Sequence, residues 1–158
     1  MRAVRILRRR MPDVLHQGDL MENRRILALD VGDKRIGVAV SDALGMIAQP
    51  IGRIDRVGWG PDIRKIQSYA AEYQTQRLLL GLPYHMDGSL GEQAEKVRRF
   101  AQELEKTGFQ IAFWDERMST VSAERVLIEA GTRRQSRKKV VDQMAAAIFL
   151  QAYLDRGM

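Results

Sequence analysis

The chain contains no cysteine and only two histidines, His16 and His85, and its aromatic content is 6%. Without cysteine it forms neither disulfide bonds nor a thiolate metal site, a composition that fits a reducing compartment. The scarcity of histidine argues against the usual kinds of zinc site, so a metal would be held by oxygen atoms, as Mg²⁺ and Mn²⁺ are. No apolar run approaches the length that a membrane-spanning helix requires, so no membrane partner is expected.

What the chain has in excess is positive charge, with a formal net charge of +6 at pH 7. Half of this excess lies in residues 1–20, where five arginines outnumber two aspartates. The charge therefore supports a nucleic-acid partner without requiring one. We expect residues 1–24 to form a flexible basic arm with no catalytic role, and residues 25–158 to form a single domain.

The hydrophobic pattern predicts the element order β-β-β-α-β-α-β-α-α. Three neighbouring strands able to pair antiparallel come first, and the later strands are separated by helices, which implies parallel pairing. This order is typical of an RNase H-like α/β fold with a mixed five-stranded sheet flanked by helices. A helix is expected to begin at Pro61, and another behind the capping box Ser89-Leu-Gly-Glu92. Residues 133–139 are expected to form a basic loop before the last helix.

Acidic residues stand at the ends of predicted elements that are far apart in the chain. Asp30 ends the first strand, Asp115 and Glu116 end the last strand, and Asp142 lies near the start of the final helix, at the border of its buried stripe. Such positions can meet at one edge of an α/β sheet. Like charges converging there repel one another, and divalent cations relieve the repulsion. Two ions roughly 3.5–4 Å apart are the usual arrangement for hydrolysis of a phosphodiester.

Each acidic residue also has a purely structural interpretation. Asp30 could cap the turn that contains Gly32, and Asp142 could complement the dipole of its helix. Asp115 could pair with Arg117 or cap the following turn. Because alternation along a strand points only one of two neighbours into a site, we favour Glu116 over Asp115 as a metal ligand.

Basic residues beside these positions are candidates for contacts with phosphate groups. The alternative for the run 133–139 is a solvated turn, but its position before the final helix favours phosphate contact. His85 is either a proton shuttle or a loop residue, and the second interpretation is favoured. The candidate nucleic-acid-binding residues are Lys34, Arg35, Arg117, Arg133, Arg134, Arg137, Lys138 and Lys139.

Four segments, residues 29–42, 81–89, 115–120 and 139–146, occur in an order and spacing that resemble the YqgF/RuvX family. Among their motifs are Leu29-Asp-Val-Gly-Asp-Lys-Arg, Gly81-Leu-Pro-Tyr-His and Asp115-Glu-Arg-Met-Ser-Thr, and the resemblance runs from about residue 25 to 155. It implies an RNase H-like fold related to Holliday junction resolvases. It also implies a cytoplasmic nuclease that processes the 5′ end of precursor 16S ribosomal RNA, with Asp30, Glu116 and Asp142 as its acidic metal-binding residues.

The resulting hypothesis is a nuclease that hydrolyses phosphodiester bonds in structured RNA with Mg²⁺ or Mn²⁺, using two ions. One alternative is a DNA endonuclease of the Holliday junction resolvase type, and another is a catalytically inactive RNA-binding assembly factor. A third is the phosphate loop of actin-like ATPases, which an Asp-Val-Gly hairpin also resembles. That alternative is disfavoured because those enzymes enclose their nucleotide with a second, similar domain. Whether the protein is a monomer or a homodimer stays open.

Overall fold

The computed structural model describes residues 23–85, 87–119 and 134–156, without the side chains of residues 134–143. Most of the expected basic arm, residues 1–24, and the third of the four expected helices, which falls between the last strand and the final helix, lie outside the described residues. No helix in the described part of the chain is long and apolar enough to cross a membrane. The elements, in chain order, are β1 (Leu27–Val31), β2 (Arg35–Ser41), β3 (Ala48–Asp55), α1 (Trp59–Tyr73), β4 (Arg77–Leu82), α2 (Glu92–Lys106), β5 (Gln110–Asp115), a 3₁₀ turn (Glu116–Met118) and α3 (Arg134–Asp155).

The five strands form one mixed sheet in the order β3-β2-β1-β4-β5. β1 pairs antiparallel with β2, and β2 pairs antiparallel with β3. β4 lies parallel to both β1 and β5. The predicted five-stranded sheet, with three antiparallel strands followed by parallel ones, is therefore confirmed. Its centre is β1, the strand that ends with the first acidic candidate.

Both faces of the sheet are covered, which is why the central strands are apolar throughout instead of alternating. On one face, Leu27 and Leu29 pack in a cluster with residues of α1 and α2. On the other face, Ala28 and Leu79 pack in a second cluster with Phe149 of α3. Because successive side chains of a strand point to opposite faces, Asp30 follows Ala28 onto the α3 face.

The expected starts of α1 and α2 differ from the observed ones. α1 begins at Trp59, two residues before Pro61, which still lies in the first turn, where proline is tolerated. α2 begins at Glu92 with Gly91 as its N-cap, and no side chain caps it, so the expected capping box at Ser89 is wrong. Ser89 instead donates from its backbone N–H and its hydroxyl to Asp87, at 2.9 and 2.7 Å. These bonds hold the serine inside the loop and away from the helix.

The basic run 133–139 is not the loop that we expected. α3 extends from Arg134 to Asp155, so residues 134–139 form its first turns. Arginine, glutamine and lysine have high helix propensity, and the run contains no proline or glycine to stop a helix. The run of charged residues is therefore the polar start of a helix and not a loop. Arg133 itself lies outside the described residues.

Candidate active site

Asp30 lies near the end of the central strand and is only 6% exposed. It pairs across β1 and β2 with Gly37. On the other side, the parallel register that places Leu29 beside Leu80 brings Asp30 alongside Gly81. Residues without side chains thus flank the carboxylate on both neighbouring strands. No side chain at these two positions covers the buried carboxylate at the carboxyl end of β1.

Glu116 approaches the same position from the end of β5, on the far side of β4. It follows β5 directly and is also 6% exposed. Its Oε2 atom lies 2.6 Å from the position that a Cβ atom on Gly81 would occupy. Since Gly81 belongs to β4, between β1 and β5, the Glu116 carboxylate lies over the strand that separates it from Asp30. The structure therefore brings two of the three acidic candidates together, with Gly81 between them.

Asp115 has a structural role: it pairs with Arg117 and caps the turn after β5, as its structural interpretation predicted. Its Oδ1 atom accepts a hydrogen bond from the Arg117 backbone N–H at 3.0 Å, which caps the 3₁₀ turn. Its carboxylate also accepts from the Arg117 guanidinium, with a shortest distance of 2.5 Å. The side-chain hydrogen bond from Arg117 lowers the pKa of Asp115 below its usual value. Asp115 thus fixes the turn that carries Glu116.

The third acidic candidate, Asp142, lies in α3, and its side chain is outside the described part of the chain. Farther along α3, Phe149 packs against Gly81 near the carboxyl end of β4. Tyr153 lines a cavity with Arg77 and Leu78 at the opposite end of that strand. The helix therefore runs from the carboxyl ends of the strands toward their amino ends. Asp142, about two turns before Phe149 and on the same helical face, lies on the part of α3 nearer to the acidic pair.

The turn that follows Asp30 is held by two side chains that the sequence did not single out. Gln93 of α2 donates from Nε2 to the Val31 carbonyl oxygen at 3.1 Å. Arg56 donates to the Gly32 carbonyl oxygen at 2.9 Å and also pairs with Asp62. A polar residue on the buried side of α2 was the only signal available for Gln93. Both bonds fix the backbone immediately after the candidate ligand.

Asp62 is fully buried and anchors this arrangement. Burial raises the pKa of Asp62, but the hydrogen bonds from the Val57 N–H and the Arg56 guanidinium outweigh it, so the pKa is lower than usual. Asp62 therefore stays ionised and holds Arg56 beside the turn. An acidic residue in the first turn of a helix was its only sequence signal.

The basic candidate residues lie in several different elements. Lys34 is exposed in the turn after Asp30, and Arg35 starts β2. Arg117 follows Glu116 directly, with its guanidinium 5.1 Å from the centre of the Tyr84 ring. His85 is an exposed loop residue close to Gly91. The remaining basic candidates lie outside the described side chains: Arg133, Arg134, Arg137, Lys138 and Lys139.

Carboxylate oxygens are the ligands that Mg²⁺ and Mn²⁺ prefer, so the chemistry of Asp30 and Glu116 fits such an ion. No group of three acidic or histidine residues with metal-binding geometry occurs among the described side chains, a set that does not include Asp142. The arrangement thus offers two buried carboxylates on either side of Gly81, with Lys34 and Arg35 at the turn after Asp30 and Arg117 directly after Glu116.

Comparisons with known proteins agree with this architecture. The solved structure of Thermus thermophilus RuvC in complex with a Holliday junction substrate superposes with a TM-score of 0.51 at 12% identity, over 84% of this chain and 95% of that one. A second Thermus thermophilus RuvC structure gives the same TM-score at 10% identity, over 84% of this chain and 96% of that one. These similarities confirm the predicted RNase H-like fold.

Close relatives exist at the level of sequence. A protein of Clostridioides difficile named "Putative pre-16S rRNA nuclease" is 52% identical over 85% of this chain and 96% of its own length. Proteins with the same name from Desulforamulus reducens and Moorella thermoacetica are 49% and 48% identical, each over 84% of this chain and over 98% and 95% of their own lengths. The family model described as RuvX, Holliday junction resolvase, matches residues 24–156. The chain therefore belongs to the RuvX family.

Proposed function

We propose that this protein is a metal-dependent nuclease that hydrolyses phosphodiester bonds, and that it processes the 5′ end of precursor 16S ribosomal RNA in the cytoplasm. The observation that carries the proposal is the position of Glu116, whose carboxylate lies over Gly81 toward Asp30. The name shared by relatives about half identical to this chain supports the choice of substrate.

Asp30, Glu116 and Asp142 are the proposed metal ligands and catalytic residues, and the ions are two Mg²⁺ or Mn²⁺. Two buried carboxylates on either side of β4, and a helix that brings Asp142 toward the same edge of the sheet, support this assignment. When bound, such ions activate water and stabilise the charge of the leaving oxygen. The protein itself supplies a fixed pair of carboxylates, and Gly81 leaves the room that the Glu116 carboxylate occupies, where a larger residue would displace it.

Basic residues beside the acidic pair hold the nucleic-acid backbone in this proposal. Lys34 and Arg35 come four and five residues after Asp30, across the turn, and Arg117 directly follows Glu116. The other proposed phosphate contacts come from the basic start of α3 and the residue before it: Arg133, Arg134, Arg137, Lys138 and Lys139. Contacts with phosphates supply affinity that depends on salt and little on base sequence.

Two other functions share the same fold. The description of the family model and the similarity to RuvC favour a DNA four-way junction as an alternative substrate. An RNA-binding assembly factor without catalysis would keep the basic residues and lack metal-dependent activity. Cleavage and metal binding, measured together, separate the three.

The test compares wild type with Asp30→Asn and Glu116→Gln on two substrates, a precursor 16S fragment that spans the 5′ processing site and a four-way DNA junction. Each reaction is run with Mg²⁺, with Mn²⁺ and with chelator. We expect wild type to cleave the RNA with either ion and not in chelator. We expect both variants to lose at least about 100-fold in rate, because each removes a metal ligand.

Asp55→Asn is the matched control, since Asp55 is an exposed acidic residue on β3. It should cleave like wild type. Circular dichroism and melting temperature establish that all variants fold. If Asp30→Asn cleaves as fast as wild type, the assignment of the site is wrong. If wild type cleaves neither substrate and calorimetry detects no Mn²⁺ binding, the assembly-factor function replaces the nuclease.

A further inference from the structure

A recess lies beside the acidic pair, along the edge strand β5. Its volume is about 760 Å³, within the range of sites that bind small organic ligands. We call it the β5 cleft. Its aromatic and cationic lining residues are Tyr84, Phe113, Trp114, Tyr153, Arg117 and Arg156. Phe113 and Trp114 point to opposite faces of the sheet and both line the recess, so it wraps around the edge strand.

The β5 cleft begins where the acidic pair ends. Leu82, which lines it, follows Gly81 in β4. Asp115 and Arg117 also line it, and they are the neighbours of Glu116 on either side. A nucleic-acid strand that reaches the acidic pair along this side must therefore pass over the β5 cleft.

The side chains of the cleft present flat aromatic and cationic surfaces. Phe113 is a large apolar residue that is 42% exposed, beside the buried Trp114. The Arg117 guanidinium stacks over the Tyr84 ring and is held in place by its bonds to Asp115. Arg156 lies 5.8 Å from the centre of the Trp114 ring. Aromatic rings and arginine planes of this kind are what unpaired bases stack on in single-stranded nucleic acid.

Trp114, which lines the cleft, also carries a hydrogen-bond donor that needs an acceptor. Trp114 is 5% exposed, and its Nε1 atom has no hydrogen-bond partner among the described residues. A buried donor left without an acceptor costs free energy. Bases and phosphates carry acceptor oxygen and nitrogen atoms, whereas an aliphatic ligand carries none. The combination of stacking surfaces, guanidinium groups and an unsatisfied donor fits a nucleotide.

We infer that the β5 cleft binds an unpaired nucleotide of the substrate strand next to the cleavage site, with its base stacked on Phe113 and on the Arg117 plane. This inference rests on the proposed nuclease function and adds a requirement for unpaired bases beside the scissile bond. In this arrangement Arg117 contacts both a base and the backbone, whereas the Phe113 ring contacts only the base, so Phe113 separates stacking from phosphate contact.

The test uses Trp114 as the reporter. The chain has two tryptophans, and Trp59→Phe removes the one outside the cleft. This variant is titrated in chelator, where no cleavage is expected, with a six-nucleotide adenylate RNA and with an abasic ribose-phosphate strand of equal length. We expect the adenylate strand to change the Trp114 emission and to bind about 5-fold to 100-fold more tightly than the abasic strand.

Phe113→Leu in the same background keeps an apolar side chain but removes the ring. We expect it to bind the adenylate strand at least about 5-fold more weakly and to bind the abasic strand as before. Val57→Ala is the control, because Val57 is a large apolar residue, 75% exposed, that does not line the cleft. Equal affinity for the two strands, or unchanged adenylate binding by Phe113→Leu, would overturn the inference.

Asp30→Asn in the Trp59→Phe background separates this inference from the proposed function. If the cleft binds a base, this variant keeps the adenylate-dependent change in emission even though cleavage is lost. Loss of cleavage with retained binding supports both proposals. Retained cleavage with base-dependent binding supports the cleft and overturns the assignment of Asp30.

Discussion

The Oε2 atom of Glu116 lies 2.6 Å from the position that a Cβ atom on Gly81 would occupy, and a ring carbon of Phe149 lies 2.8 Å from the same position. Three residues from different elements therefore meet at one point of β4. No side chain fits at Gly81 unless both neighbours move. Glycine in the interior of a strand often marks such a close approach.

Gly81→Ala should therefore weaken both the fold and the proposed site. We expect a loss of about 1–3 kcal/mol in the free energy of unfolding, because the added methyl group overpacks this point. We also expect weaker Mn²⁺ binding, since the Glu116 carboxylate must shift. Urea unfolding and calorimetry with Mn²⁺ measure the two effects.

Gly60→Ala is the matched control for Gly81→Ala. A Cβ atom on Gly60 would meet only the Arg64 side chain, at 3.5 Å, which is an ordinary contact. Gly60 lies in the first turn of α1, so alanine should be neutral or stabilising by up to about 1 kcal/mol. If Gly81→Ala behaves like Gly60→Ala, the crowding at Gly81 is not energetically important.

Asp62→Ala should destabilise the protein by about 3 kcal/mol, because it leaves the largely buried Arg56 guanidinium and the Val57 N–H without their shared acceptor. Asp55→Ala removes an exposed ion pair with Arg53 and should cost less than about 1 kcal/mol. Chemical unfolding at pH 7 compares the two. Equal losses would mean that burial of the Asp62 pair contributes nothing.

The same pair predicts a dependence on pH. The folded protein lowers the pKa of Asp62, so the ionised carboxylate contributes its stability above the unfolded pKa of about 3.9. That contribution is lost as the pH falls through the lower folded pKa. The difference in stability between wild type and Asp62→Ala should therefore be larger at pH 7 than at pH 2. A difference that stays constant would contradict the lowered pKa.

Gln93→Met should act on the turn that follows Asp30. The change keeps the length of the side chain and removes the donor to the Val31 carbonyl oxygen, at a cost of about 1 kcal/mol. If Gln93 positions Asp30 through this turn, kcat for RNA cleavage should fall while KM stays near the wild-type value. Gln102→Met, at an exposed position of the same helix, should change neither stability nor kinetics.

Ser41→Ala tests a buried bond at the other end of β1. The Ser41 hydroxyl accepts from the Ile26 N–H at 2.8 Å, and Ser41 has no exposed surface. Removing it should cost about 1–3 kcal/mol and speed hydrogen exchange at the Ile26 amide. Ser68→Ala, on the exposed side of α1, should stay within about 0.5 kcal/mol of wild type. Protection of the Ile26 amide that survives Ser41→Ala would show that another group satisfies it.

Patterns local in the sequence were sufficient for most of the fold. The run Arg77–Leu82, apolar after its first residue, forms β4, as expected for a strand in a sheet buried on both faces. Alternation along β5 also favoured Glu116 over Asp115, and the structure turns these two side chains to different partners. In each case the pattern that supports the inference spans only a few consecutive residues.

Other local signals were present and misleading. The Ser89-Leu-Gly-Glu92 pattern fits a capping box, but Asp87 accepts both hydrogen bonds of Ser89. The basic run 133–139 resembles a solvated turn, yet residues 134–139 form the first turns of α3. Their helix propensity favours this once the helix packs in the tertiary structure. The local hydrogen bonds of Ser89 decided the first outcome, and the packing of α3 decided the second.

By itself, the sequence determined the strands, their directions and the acidic candidates for a metal site, because periodicity and residue chemistry are properties of short segments. Only the tertiary structure decided that Glu116 and Phe149 meet at Gly81, and that Gln93 and Arg56 hold the turn after Asp30. Those contacts join residues from 24 to 68 positions apart. They exist only once packing of the sheet and helices has set the distances between elements, which no short pattern encodes.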